Sequence, residues 1–149
     1  EMRTSIDVLL VEDDPGDIAL TKEALKETRA AITLHVVDDG EKALQFLRRQ
    51  GEHAKAARPD LILLDLNLPR KDGREVLKEI KGDRDLRAIP VVIMTTSNAD
   101  QDIKNCYGCG ANCFVTKPAE FDEFVKVIRR IEEFWFSTVQ LPPSGAVEC

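Results

Sequence analysis

Five positions in this chain carry side chains that could do chemistry together: Glu12, Asp13, Asp65, Thr95 and Lys117. Each falls at or just past the end of its own short apolar run. If those runs are strands of one parallel sheet, all five residues meet at the edge formed by the strands' C-terminal ends, where open α/β sheets bind ligands. A single acidic turn residue would read as a helix cap. Carboxylates, a hydroxyl and an ammonium delivered by several strands to one crevice read differently. Three crowded carboxylates repel one another at neutral pH, and a bound divalent cation resolves the conflict. The donors are hard oxygens with no His or Cys beside them, so Mg²⁺ fits best. Lys117 supplies a movable point charge for a phosphoryl oxygen, and Thr95 a hydroxyl donor to the same group. Asp65 lies between metal and lysine, which makes it the candidate nucleophile for an aspartyl phosphate. The metal and Lys117 would neutralise charge on the transferring group.

The elements needed to position these groups follow from the apolar pattern. Leu61–Leu64 is almost purely apolar, as a strand buried on both faces should be, and Asp65 ends it; Asn67 and Pro69 then break the pattern. Ile6–Val11 is a second such run and stops at Glu12-Asp13-Asp14. Asp14-Pro15 reads as the cap and first position of a helix running to about Thr28. Ile32–Val37 alternates enough to be a strand, and Glu41 to about Gln50 a helix. Asp72 caps the next helix, with Glu75 three residues on and Val76, Leu77 and Ile80 on its inner face. Pro90–Met94 begins a fourth strand closing on Thr95-Thr96. Ser97 is expected to cap a helix from about Asn98 to Tyr107, stopped by Gly108 and Gly110. Asn112–Thr116 forms the fifth strand, ending at Lys117-Pro118. The last helix has the clearest 3.6-residue period, through Phe121, Phe124, Val125, Ile128, Ile131 and Trp135. Strand and helix alternate five times. That predicts an α/β, doubly wound, five-stranded parallel sheet with helices on both faces.

Composition narrows the function classes. The 149 residues suffice for one domain with a real core, and the 43% hydrophobic content is ordinary for a globular chain. No apolar stretch approaches the roughly 20 residues that span a bilayer, and a polar start after Met2 gives no secretory signal. A net charge of −6 with a pI near 5.0 argues against nonspecific nucleic-acid binding and against an anionic membrane surface. Cys106, Cys109, Cys113 and Cys149 form no disulfide framework, so a reducing cytoplasm is the expected compartment. Zinc or iron–sulfur binding would need a fourth ligand beside the three clustered thiols. His35 and His53 show no carboxylate partner in the sequence.

Glu12-Asp13, Asp65-x-Asn67-x-x-Pro69, Thr95 and Lys117-Pro118, in that order and spacing, closely resemble the receiver domain of two-component response regulators, over about Asp7 to Phe136. The resemblance implies a flavodoxin-like sheet of order 2-1-3-4-5. It also implies phosphorylation of Asp65 by a histidine kinase, and Mg²⁺ held by Glu12, Asp13, Asp65 and the backbone carbonyl of Asn67. Thr95 and Lys117 would grip the phosphoryl oxygens, and the Lys117–Pro118 bond would be cis. Asn67 and Ser97 fall where the family tunes dephosphorylation. Phe114 falls at its aromatic switch position, although a strand aromatic packed on a helix explains Phe114 equally well. The chemistry would be limited to the protein's own phosphorylation and dephosphorylation: a stand-alone phosphoacceptor switch signalling to a downstream protein, not an enzyme with a separate substrate.

Leu66–Leu77, with the segment Glu133–Pro142 beyond the usual receiver end, looks like the small response regulators that partner cyanobacterial phytochromes. Phe134, Trp135, Phe136, Val139 and Leu141 are more apolar surface than one receiver covers, which points to a homodimer through the last helix and its extension; a tail folded back on its own domain is the alternative. Residues 5–140 are expected to form the receiver and 141–149 a loose tail. Two other readings stay open on the residues alone. A haloacid-dehalogenase-type phosphatase also uses a strand-end Asp with Mg²⁺ but wants an acid where Asn67 stands. A phosphorylation-independent interaction module would not need the acidic pair, Thr95 and Lys117.

Overall fold

The computed structural model describes residues 5–26 and 31–143, in which five strands form one all-parallel sheet of order β2-β1-β3-β4-β5. These are β1 (Ile6–Val11), β2 (Ile32–Val37), β3 (Leu61–Leu64), β4 (Val91–Thr95) and β5 (Cys113–Thr116). Between and after them come α1 (Pro15–Lys26), α2 (Gly40–Leu47), α3 (Gly73–Gly82), α4 (Asp100–Gly108) and α5 (Phe121–Glu133), with a short 3-10 turn at Gly51–His53. This is the expected flavodoxin-like, receiver-type architecture. The interior strands β3 and β4 are buried along their whole length, and β1 at every residue but Asp7. The edge strands β2 and β5 are only partly covered, which is why they tolerate Thr33, His35 and Thr116.

Strand alternation sorts the core into two layers. Leu9, Val11, Ile62, Leu64, Val91 and Ile93 point to one face and meet α2, α3 and α4. Val8, Leu10, Leu61, Leu63, Val92 and Met94 point to the other and meet α1 and α5. The last helix places Phe124, Ile128 and Ile131 in that second layer. Phe121, counted in the same stripe from its period, is 72% exposed: it is the first helical residue, one turn before α5 reaches the core. Leu86 and Ile89, in the connection between α3 and β4, are buried plugs of the first layer.

Beyond Glu133 the chain widens into a π-helical turn, Phe134–Thr138, closed by Val139 N–H donating to Phe134 O at 3.0 Å. Trp135, Phe136 and Leu141 are half-buried against the second layer of their own domain, while Phe134 is 50% exposed. Of the expected tail, Leu141 thus packs on the core, Pro142 and Pro143 line a crevice with Pro59 and Pro90, and 144–149 lie outside the described residues.

Helix starts are fixed locally. The Asp14 carboxylate accepts from Gly16 N at 3.0 Å, Asp39 caps α2 through Lys42 N at 2.7 Å, and Asp72 caps α3 through Arg74 N at 3.0 Å. Ser97 does not cap α4, which begins later, with Ala99 at the cap position; the Ser97 hydroxyl turns instead to Asp102. His35, contrary to expectation, has a carboxylate partner. The β1–β2 register pairs Asp7 with Thr33, so His35 lies two residues along from it and meets Asp7 at 3.0 Å.

Gly73 lets α3 begin against the end of β3. A Cβ there would lie 2.1 Å from the Asp65 carbonyl oxygen and 2.6 Å from Leu66 Cα, both backbone atoms that cannot swing aside. Gly73→Ala should therefore destabilise the fold by about 1–3 kcal/mol, as overpacking does. Urea unfolding with an unchanged m-value but a lower midpoint is the expected result.

Candidate functional site

Adjacent strand ends are stitched together by the last rungs of the sheet. Glu12 N–H donates to Val37 O at 3.0 Å, Asp65 N–H to Val11 O at 3.1 Å, and Lys117 N–H to Thr95 O at 2.7 Å. These bonds bring Glu12, Asp65, Thr95 and Lys117 to one edge of the sheet.

The Lys117 ammonium is the hub. It donates to Glu12 Oε1, to Asp17 Oδ2 at 2.8 Å and to Asp65 Oδ2 at 2.9 Å, and its side chain is only 6% exposed. Asp17 is the member that sequence reasoning missed. It lies in the first turn of α1, where an acidic residue is already explained by the helix dipole. The other Glu12 oxygen accepts from the backbone N–H of Asp13 at 3.0 Å and of Asp14 at 3.2 Å. Glu12, Asp13 and Asp65 each offer an oxygen within 4.8 Å of the others, with Asp13 open to solvent. This donor set suits a hard divalent cation that keeps some of its water. Asn67 is exposed, and its N–H donates to Asp65 Oδ1 at 3.3 Å.

Electrostatics separate the two buried acids. Burial pushes Glu12 up to about 7; Lys117 pulls it back in part, and repulsion from Asp65 adds to the rise. Burial acts on Asp65 too, but there the Lys117 hydrogen bond and charge, with bonds from Thr95 and the Asn67 backbone, prevail and hold it below the usual carboxylate range. Asp65 is thus an anionic carboxylate at neutral pH. Lys117 is held above its ordinary value by its three carboxylate partners against the opposing effect of burial, so it stays charged.

Thr95 is fully buried. Its hydroxyl accepts from Ser97 N at 3.4 Å, and it is one of the groups that favour the ionised form of Asp65. Phe114 packs half-buried on the first layer, its N–H donating to the Tyr107 hydroxyl at 3.1 Å. The Lys117–Pro118 bond is trans, not cis. Trans is the lower-energy isomer of an X–Pro bond, and Lys117 reaches all three carboxylates with it. Cys106 and Cys113 are free, Cys106 buried and Cys109 exposed; among the described residues only Glu12, Asp13 and Asp65 form a metal-type cluster.

Residues 8–129 match the family model of the response regulator receiver domain. The chain belongs to the response regulator receiver family. Receivers accept a phosphoryl group on an aspartate in two-component signalling, and the acidic cluster of this one is of the kind that binds a divalent metal. Response regulator Rcp1 of Synechocystis sp. is 47% identical over 135 residues, 91% of this receiver and 92% of that protein. The structure of the phosphorylated cyanobacterial phytochrome response regulator RcpA is 48% identical, covers 93% of this chain and 99% of its own, and superimposes with a TM-score of 0.91. The Mn²⁺-bound form of Rcp1 gives 46% identity and the same TM-score of 0.91, with 93% and 99% covered.

The raised Glu12 value has a measurable consequence. Glu12 is mostly protonated at pH 6 and mostly ionised at pH 8. A divalent cation needs the carboxylate, so its binding should release close to one proton at pH 6 and almost none at pH 8. Calorimetry in buffers of different ionisation enthalpy measures this, and Glu12→Gln should abolish the release at pH 6.

Proposed function

We propose that Asp65 is the phosphoacceptor of a two-component phosphorelay, with Mg²⁺ as the working cation. The observation that carries this reading is the buried Lys117 ammonium bridging Glu12 and Asp65 beside the carboxylate trio. In the forward step the P–N bond of a kinase phosphohistidine breaks as a carboxylate oxygen of Asp65 bonds to phosphorus. In the later hydrolytic step a water oxygen attacks the phosphorus, the P–O bond to Asp65 breaks, and inorganic phosphate leaves with the Asp65 carboxylate restored. Lys117 and the Thr95 hydroxyl meet the phosphoryl oxygens. Glu12, Asp13, Asp65 and the Asn67 carbonyl would hold Mg²⁺, which would supply charge neutralisation for the transferring group. Asn67 and Ser97 tune hydrolysis. No other substrate is turned over.

The donor is a sensor histidine kinase, and similarity to phytochrome response regulators favours a phytochrome. Output passes to a downstream protein in the cytoplasm. None of the described helices is long and apolar enough to cross a membrane. Phe114 and the α4–β5–α5 face respond to phosphorylation.

Incubation with acetyl phosphate and Mg²⁺ should add the mass of one phosphoryl group to the intact protein. Asp65→Asn should abolish the gain, and chelating the metal should suppress it. An unchanged mass in the wild type overturns the switch.

We also propose that residues 5–140 form the receiver and that it pairs as a homodimer through α5 and its extension, with Phe134, Trp135, Phe136, Val139 and Leu141 at the interface. Phe134, half of whose surface is open, supports this reading; Trp135, Phe136 and Leu141 would contribute the parts of their side chains that their own core leaves uncovered, and Val139 its exposed part. Sedimentation at micromolar concentration should give a dimer that Phe134→Asp weakens. A monomer with and without phosphorylation would exclude it.

A further inference from the structure

Next to the carboxylate cluster, a second polar assembly joins α3 to α4, and its members Arg74 and Asp102 have no part in the chemistry proposed above. Arg74, in the first turn of α3, forks onto Asp102 of α4: Nε donates to Oδ1 at 2.7 Å and Nη2 to Oδ2 at 2.8 Å. Its Nη1 holds the cap residue Asp72 at 3.0 Å. Asp102 Oδ2 in turn accepts the Ser97 hydroxyl proton at 2.6 Å. Ser97 is tied onward to the site, its N–H donating to Thr95 Oγ1 at 3.4 Å and its carbonyl accepting from Thr116 Oγ1 at 3.5 Å. An unbroken chain of polar contacts therefore runs from Arg74 through Asp102 and Ser97 to Thr95, at the end of the strand that lies beside β3 and so beside Asp65.

The surroundings leave this chain mechanically exposed. A groove of about 530 Å³ separates α3 from α4, lined by Leu77, Lys78, Lys104, Cys106 and Cys109. Arg74–Asp102 is the ion pair that spans it among the described residues. Asp102 is driven down to about 2, first by Arg74 and then by Ser97, so the acceptor stays charged across the working pH range. A planar fork of this kind fixes direction as well as distance.

We propose that Arg74 and Asp102 are positioning residues: acting through Ser97, they hold the β4–α4 loop so that Thr95 is aligned before the phosphoryl group arrives, and they thereby set the rate at which Asp65 is phosphorylated. The proposal rests on Asp65 being the phosphoacceptor. The hydroxyl donor acts at once only if it is already placed, and that preorganisation is lost when the loop is released.

The test is a cycle of Ser97→Ala, Asp102→Ala and the double variant, labelled with acetyl phosphate at saturating Mg²⁺ and read by intact mass against time. Each single variant should label about three- to tenfold more slowly, the range expected for one lost hydrogen bond. The double variant should be no slower than Ser97→Ala alone, because Asp102 acts through that hydroxyl. Arg74→Lys, which keeps charge but loses the fork, should fall between wild type and Asp102→Ala. The Mg²⁺ concentration for half-maximal labelling should stay unchanged throughout. Wild-type rates in Asp102→Ala, effects that multiply in the double variant, or a shifted Mg²⁺ requirement would overturn the proposal. If Asp102→Ala does not fold, Asp102→Asn carries the same cycle. A wild-type protein that takes up no phosphoryl group sinks the switch itself, a result distinct from any of these.

Discussion

Glu12 arrives from the end of β1, Asp17 from the first turn of α1 and Asp65 from the end of β3, and the Lys117 ammonium touches all three. Four carboxylates, counting Asp13, share the edge with this one lysine, so the site carries a negative excess that one ammonium does not cancel. Such a group of charges survives near the interior because each buried oxygen has a partner. Removing one member of a buried pair leaves the other uncompensated, at about 3–5 kcal/mol. The rest of the molecule serves this balance. Parallel strands deliver the acids to one level, the last sheet rungs lock their backbones, and the uncancelled charge leaves room for a cation.

Much of this was legible in the sequence because strand ends are. An apolar run followed by an acid, a threonine or a lysine specifies both the strand and the residue that leaves it, and the five strands came out in the expected order. What stayed hidden depends on geometry between elements. Asp17 looks like an ordinary first-turn acid until the fold puts Lys117 beside it. His35 gains Asp7 only through the β1–β2 register. Ser97 reads as a cap by type and position, yet its hydroxyl donates instead to Asp102, five residues on. Arg74 and Asp102 lie 28 residues apart and carry no mutual signal at all. Phe121 failed for a different reason: periodicity marks a helix face but not where along the helix the core begins.

The two apolar layers divide the labour unequally. The layer under α2, α3 and α4 supports the loops after β3 and β4, where Asp65, Asn67 and Ser97 lie. The layer under α1 and α5 supports Asp17 at one end and receives the C-terminal segment at the other. Close backbone approaches mark where the first layer is tightest. Gly40 sits against the Lys71 carbonyl, and Gly73 against that of Asp65, so the loop after β3 is pinned between two helix starts.

The C-terminal segment also gives the protein a built-in optical reporter. Trp135 is the single tryptophan of the chain, and it lies half-buried in the π-helical turn, stacked edge-on against Phe134 at 5.4 Å between ring centroids. Indole emission from the unmodified protein therefore comes from this one place. A red shift or greater quenching by iodide would signal that the segment has lifted from the second layer, without any label being attached.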